Sequence, residues 1–322
     1  MDRQNLHIPV MKAETMDLLN IRPDGVYGDL TMGYGGHGRA ILEKLGQKGK
    51  YLGIDKDGYA IEKSKEWTKG QKATVFIVQD DYKNLPDIVR TLNIEAFDGL
   101  LIDMGVSSIQ LDQAERGFSY HREGMLDMRM NQEEDFSAYD IVNKYGEEEI
   151  AEILFSYGEE RHAKLIARQI LKKRQEGLIQ STLELAEIVK KAYPPRERFQ
   201  GKHPARKTFQ ALRIAVNKEL DGLEEALKAM AQMLNKDGIL AVITFHSLED
   251  RIVKETFWQL VNPCTCPPDF PVCTCGAKEE FRLLTKKPIL PSKKEMEINH
   301  RSRSAKLRGL LRISSTKEKT HA

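Results

Sequence analysis

The chain has 322 residues, 40% of them hydrophobic and 30% charged, which is too apolar for wholesale disorder and long enough for one large domain or two ordinary ones. Lys and Arg total 50 against 48 Asp and Glu, so the net charge is only +2. The longest uncharged apolar run, 238–245, falls far short of the ~20 residues that span a bilayer, and Met1-Asp2-Arg3-Gln4-Asn5 opens onto no apolar signal core, so a cytoplasmic protein with no membrane partner is expected.

In chain order, residues 25–30 read as a strand, 36–45 as a helix, 51–54 as a strand and 58–67 as a helix. Strands over 74–78 and 97–102 follow, separated by a short helix over 85–92. Repeated strand-helix alternation predicts a parallel sheet in an α/β fold. After Ser107 this rhythm stops. From 138 to 193 apolar residues recur at helical spacing, as in Ile150, Ile153 and Leu154 or Leu165, Ile166 and Ile170. Pro194-Pro195 and a basic stretch end that block. A long amphipathic helix is expected over 208–234, then a turn at Asp237-Gly238 and a fifth strand to 245. One more strand completes a sheet that the first half leaves short, so the helical block is read as an insertion. The expected division is 1–110 with 208–313 as the α/β domain, 111–207 as an inserted all-helical substrate-recognition domain, and 314–322 as a disordered tail.

Charge is segregated along the chain: acidic over 133–160, basic over 190–207 and 282–319. Either these are solvated faces or the basic blocks meet an anionic partner.

The strongest motif is Gly28-Asp29-Leu30-Thr31-Met32-Gly33-Tyr34-Gly35-Gly36-His37-Gly38, where Gly33, Gly35 and Gly38 form G-x-G-x-x-G between strand and helix. Glycines there let backbone approach a ligand, and the helix start offers unpaired N–H donors. About twenty residues on, Asp55 ends the second strand, where a carboxylate grips ribose hydroxyls. A dinucleotide and S-adenosylmethionine both suit this pattern. Asp29 favours the latter, because an acid beside the loop attracts an ammonium group and opposes a pyrophosphate.

The third strand leads to Gln79-Asp80-Asp81-Tyr82, whose Tyr82 either stacks on an adenine or packs on the helix below. At the end of the fourth strand, Asp103 follows the apolar Leu101-Ile102 and is read as a site residue rather than a cap. Ser247 and Asp250 fit a capping box, which leaves Phe245 and His246 as a wall of an acceptor pocket. In His203-Pro204-Ala205-Arg206-Lys207, the two cations either bind phosphate or mark a basic surface loop. Arg301, Arg303, Lys306 and Arg308 are further candidates for contact with an anionic partner. Cys264, Cys266, Cys273 and Cys275 sit in a proline-stiffened loop; zinc, free thiols and disulfides are all compatible with Cys-x-Cys, which is not the usual C-x2-C spacing, so the metal content stays open.

Taken together, several stretches resemble the bacterial 16S ribosomal RNA cytosine-N4 methyltransferase family: His7-Ile8-Pro9-Val10, Gly35-Gly36-His37-Gly38, Asp103-Met104-Gly105-Val106-Ser107-Ser108, Glu115-Arg116-Gly117-Phe118-Ser119, Leu126-Asp127-Met128-Arg129-Met130, Tyr157-Gly158-Glu159-Glu160, Thr208-Phe209-Gln210-Ala211-Leu212-Arg213 and Phe245-His246-Ser247-Leu248-Glu249-Asp250-Arg251. The resemblance implies a class I S-adenosylmethionine-dependent methyltransferase, with a Rossmann-like sheet, that methylates N4 of a cytidine in the decoding centre of 16S rRNA, its partner in the small ribosomal subunit. It places cofactor contacts on Gly35, Gly36, His37, Asp55, Tyr82, Asp103 and Gln110. Asp103-Met104-Gly105-Val106 stands where DNA amino-methyltransferases carry Asp/Asn/Ser-Pro-Pro-Tyr, so the group holding the amine is open between Asp103 and a neighbouring carbonyl.

Overall fold

The computed structural model describes residues 9–198, 201, 203–267 and 274–313. His7, Ile8, Cys273 and the 314–322 tail lie outside them. The chain divides into two units, residues 1–105 with 222–322, and residues 106–221.

In the first unit, α1 (Lys12–Leu19) precedes β1 (Val26–Asp29), α2 (Gly36–Lys44), β2 (Lys50–Asp55), α3 (Gly58–Trp67), β3 (Thr74–Gln79), α4 (Leu85–Leu92) and β4 (Phe97–Asp103). Leu100, Leu101 and Ile102 are all fully buried, as expected of a parallel strand covered on both faces. The second unit carries α5 (Ser108–Asp112), α6 (Ala138–Lys144), α7 (Glu147–Gly158), α8 (Ala163–Arg174), α9 (Thr182–Ala192) and α10 (Ala205–Asn217). Ile141, Ile150, Leu154, Ile166, Val189 and Phe209 share its core. The chain then returns to the first unit with α11 (Leu223–Gln232), β5 (Leu234–Thr244), α12 (Ser247–Val261), β6 (Phe281–Leu283), α13 (Lys293–Ile298) and β7 (Lys306–Arg312).

The sheet order is β3-β2-β1-β4-β5-β7-β6. Strands β1 to β5 are parallel, β7 runs antiparallel to β5, and β6 antiparallel to β7. Successive strands step one way from β1 to β3 and the other way from β4 to β5, which makes the β1/β4 junction the topological switch point where α/β sheets bind ligands. Among the described residues no helix is long and apolar enough to cross a membrane.

Four sequence expectations change. The unit boundaries fall at 105/106 and 221/222, not 110/111 and 207/208, because the apolar face of α10 (Phe209, Ala211, Leu212) buries in the helical core. The helix expected over 208–234 is two helices, broken where Lys218 (φ 49°) and Gly222 (φ 65°) turn left-handed. Asp237 (φ 62°) lies within β5, beside a register shift against β4, rather than in a turn before it. Strands β6 and β7 were hidden inside a basic block.

That last block is partly structural. Lys306 Nζ and Arg308 Nε each lie 2.7 Å from Asp250. Burial pushes the Asp250 carboxyl up, but the bonds from Arg308 and Lys306 outweigh it and hold it below the usual range. Lys306 and Arg308 are therefore tied into the sheet edge, while Arg301 and Arg303 stay exposed in a 3-10 turn. Removing the chain after Pro291 would delete β7, the strand joining β5 to β6, so that truncation cannot isolate an RNA-binding role.

Arg312 is 0% exposed. Its Nη1 donates to the carbonyls of Gln232 at 2.7 Å and Leu234 at 3.3 Å, closing the end of α11, and its Nη2 lies 3.6 Å from Glu280. Arg312→Ala would strand these acceptors and leave a cavity, so a loss of about 3–5 kcal/mol is expected in urea unfolding. A loss below about 1 kcal/mol would show that the carbonyls are satisfied without it.

Candidate active site

At the carboxyl end of β1 the chain turns into α2 through Gly33 (φ 52°) and Gly35 (φ 82°). A methyl at Gly35 would stand 2.4 Å from the Trp67 indole, one at Gly36 2.9 Å from Pro9, and one at Gly38 2.3 Å from the Tyr51 hydroxyl. These three glycines are needed by the protein's own packing. Gly33 differs: its nearest such neighbour is the Thr31 carbonyl oxygen at 3.9 Å, so it alone of the four leaves room for a ligand. The glycine pattern thus has two causes, where the sequence suggested one.

Three carboxylates end three adjacent strands, Asp55 on β2, Asp29 on β1 and Asp103 on β4. Asp29 is 1% exposed. Burial pushes its carboxyl up to about 7, the Thr31 and Gly38 amides pull it down, and Asp55 raises it again. It therefore lies shielded from solvent beneath the loop. Asp55 accepts from the Gly33 amide at 2.7 Å and the Asp57 amide at 2.9 Å. Burial raises its carboxyl to about 6 against the pull of those amides.

Asp103 is held through its own amide, which donates to Thr31 Oγ1 at 2.7 Å. Its side chain is 21% exposed, yet Oδ1 is buried without a hydrogen-bond partner. Burial drives its carboxyl well above the ordinary range, and Asp29 and Glu249 add to that. His37 Nδ1 stands 3.6 Å from Asp103 Oδ2, and its Nε2 donates to the Val10 carbonyl at 3.0 Å. That bond fixes the tautomer, which leaves Nδ1 facing Asp103. His37 so pins the segment before α1 against the crevice.

At the end of β3, Asp80 and Asp81 are absorbed locally. Asp81 accepts from the Lys83 amide at 3.0 Å and pairs with Lys56 at 2.8 Å, and Asp80 accepts from Asn84 at 2.7 Å. Tyr82 opens the 3-10 turn they cap, half-buried. After β5, the helix cap is not Ser247 with Asp250. His246 is the N-cap of α12, and Glu249 reaches back to the amides of Phe245 at 2.8 Å and His246 at 3.3 Å, with His246 Nε2 2.9 Å from Glu249 Oε1. Phe245 packs near Gly105, whose added methyl would lie 3.5 Å from the ring. Glu249 thus shapes this turn from three positions after the N-cap, a spacing that is itself a capping signal.

In the second unit, Gln110 Oε1 accepts from the Ser107 amide at 3.0 Å, completing a capping box on α5. Lys207 Nζ donates to the Glu159 carbonyl at 2.6 Å and stays exposed, with Arg206 half-buried beside it. A ring cluster unforeseen from sequence lies in the same unit. Tyr120 stacks on His203 with centroids 4.8 Å apart and meets Phe209 edge-on at 5.5 Å, while His121 lies 5.3 Å from His203. Burial, then His121, hold the His203 imidazole below its ordinary pKa.

Comparison with known proteins adds a profile of the MraW methylase family that matches residues 4–313. The chain is 54% identical over 302 residues to "Ribosomal RNA small subunit methyltransferase H" of Clostridium botulinum (strain Loch Maree / Type A3), covering 94% of this chain and 97% of that one. It is 49% identical over 309 residues to the protein of the same name from Fusobacterium nucleatum, covering 95% and 97%. Among solved structures, that of TrmN from Thermus thermophilus aligns with 94% of this chain and 48% of its own, at 10% identity and a TM-score of 0.40.

The raised carboxyl of Asp29 has a consequence for stability. An acid whose folded pKa lies above its unfolded value contributes stability below the unfolded pKa and loses it as pH rises through the folded one. Between about pH 4 and about 7 the buried Asp29 should therefore become a growing burden on the ligand-free chain. Asp29→Asn should gain stability over the parent across that window, by on the order of 2–4 kcal/mol at its top. Urea unfolding at a series of pH values measures the gap; a gap independent of pH would mean that Asp29 is ionised at no cost.

Proposed function

The chain belongs to the MraW methylase family, and from that premise we propose that it transfers a methyl group from S-adenosylmethionine to the exocyclic N4 of one cytidine in the decoding centre of 16S rRNA. The observation that carries the reading is the set of three aspartates that end the adjacent strands β2, β1 and β4 at the β1/β4 switch point. S-adenosylmethionine is cationic at its sulfonium and ammonium groups and has no phosphate. Asp29, Asp55 and Asp103 favour such a ligand and oppose a pyrophosphate.

The residues present fit that group. Gly33 leaves space, Asp103 Oδ1 lacks a partner, and the Asp55 carboxylate has acceptor capacity beyond its two amide bonds. Gly35, Gly36 and His37 would hold the cofactor from the loop, Asp55 its ribose, Tyr82 its adenine, and Asp103 and Gln110 the remainder. When bound, the cofactor supplies an electrophilic methyl carbon.

The chain's residues then address the weakness of the nucleophile. The lone pair of a cytosine amine is delocalised into its ring, so the amine must be oriented and relieved of a proton as the new bond forms. Asp103 is the group for both tasks. Its carboxylate, held at the end of β4 by the bond from its own amide to Thr31, would accept an N–H of the amine and then the proton that the nitrogen loses. Phe245 and His246, held rigid by Glu249, wall the place where a base turned out of its helix would sit. Arg206 and Lys207 would contact phosphates, and Tyr120 with His203 would stack on bases. The partner is 16S rRNA or the assembled small subunit, in the cytoplasm.

Mass spectrometry of small-subunit RNA from cells with and without the gene should place one methyl group on N4 of a single cytidine; an unchanged map would sink the proposal. Asp103→Asn should remain folded and lose about 100- to 10,000-fold in turnover, whereas near-normal turnover would transfer the role to a backbone carbonyl. Tyr120→Ala should weaken RNA binding by about 1–3 kcal/mol in filter-binding titrations. Unchanged affinity would reduce the ring cluster to core packing.

A further inference from the structure

The cysteine loop lies apart from all of this chemistry. It follows α12, whose 15 residues carry the chain about 22 Å away from His246 at the edge of the crevice. There the Sγ atoms of Cys264, Cys266 and Cys275 all lie within 4.8 Å of one another. The sulfurs of Cys264 and Cys275 are 3.7 Å apart, far beyond the ~2.05 Å of a disulfide. A tetrahedron with metal–sulfur bonds of about 2.3 Å has edges of about 3.8 Å, so this separation matches two thiolates sharing one metal ion.

A second observation points the same way. Cys266 Sγ accepts the Thr274 amide at 3.3 Å. An N–H aimed at sulfur stabilises the thiolate over the thiol and orients it, as outer-shell donors do around metal sites. The loop gains nothing from its cysteines as core residues, since Cys264 and Cys275 are exposed. Their convergence therefore calls for a ligand.

We propose that Cys264, Cys266 and Cys275 bind one Zn²⁺ ion through their thiolates, as a structural site that closes the loop between α12 and β6. Soft sulfur donors at this spacing select Zn²⁺ over the hard cations Mg²⁺ and Ca²⁺. A further ligand completes the tetrahedron. Binding releases the thiol protons to solvent, and no electron is transferred. The ion would staple the end of α12 to the strand that follows, a stretch with few apolar residues of its own, and would take no part in methyl transfer.

The test uses the full chain, purified under reducing conditions. Elemental analysis should find about one zinc per chain, and Cys264→Ser with Cys275→Ser together should lose it while circular dichroism shows the sheet intact. Independently of any variant, the wild-type chain stripped by a chelator and given Co²⁺ should develop the sulfur-to-cobalt charge-transfer absorption of thiolate ligation, and its unfolding midpoint should fall on stripping and recover with Zn²⁺. A chain that neither carries nor takes up zinc overturns the proposal. So does iron in place of zinc, zinc retained by the double variant, or a disulfide among these cysteines that survives reductant. None of these readouts depends on methyl transfer, so failure of the proposed reaction would leave the metal result standing.

Discussion

Carboxylates on neighbouring strands of one sheet cannot all stay ionised in a shielded crevice without a counter-charge, and the active-site end of this protein is arranged around that difficulty. Parallel pairing brings the ends of β2, β1 and β4 side by side, and each ends in aspartate. The chain answers with backbone amides at Asp55, from Gly33 and Asp57, while both Asp29 oxygens are buried without a hydrogen-bond partner. These are not enough. All three carboxyls remain raised, first by burial, and Asp29 and Glu249 add to the effect at Asp103. A cationic ligand would supply what the amides do not, so affinity for such a ligand and the cost of the buried carboxylates would have the same electrostatic origin.

That crevice was legible in outline because its parts are local. A strand ending in Asp29, a glycine turn, a second strand ending in Asp55 and a fourth ending in Asp103 are each set by a few consecutive residues, and α3 and α4 began and ended where the periodicity placed them. What was misread depends on contacts distant in sequence. Nothing near Gly35 announces that Trp67 will lie against it, so the packing requirement on this glycine was not legible beside the ligand contact that the motif suggests. Phe209 and Leu212 have an apolar face that suits either unit, and only the tertiary packing assigns α10 to the helical one. His246 is a poor N-cap by residue preference, so Ser247 drew attention; the deciding group was Glu249, which satisfies two amides at once.

The basic C-terminal block shows the same limit with charge. Lys306-Leu307-Arg308-Gly309-Leu310-Leu311-Arg312 contains more charge than an internal strand usually tolerates, which disguised it as a nucleic-acid tail. In the fold its cations have distinct fates. Lys306 and Arg308 neutralise Asp250 from α12, and Arg312 closes the carboxyl end of α11. Arg301 and Arg303, a few residues earlier, face solvent. A count of positive charge along a sequence therefore overstates what is available to an anionic partner, by the amount the fold consumes in joining its own elements.

Position along the chain also explains how a large helical unit is accommodated without cost to the sheet. β4 and β5 are neighbours in space but are separated by 130 residues of sequence, from Asp103 to Leu234. A parallel connection must leave at one edge of the sheet and return at the other, so any insertion there begins at the carboxyl edge, where ligands bind. The chain departs two residues after Asp103, through Gly105, whose φ of 103° few other residues could adopt. It returns through α11 to the opposite edge. The catalytic candidate and the point where the chain leaves the sheet are thus two residues apart, and a side chain at Gly105 would strain the left-handed turn that separates them.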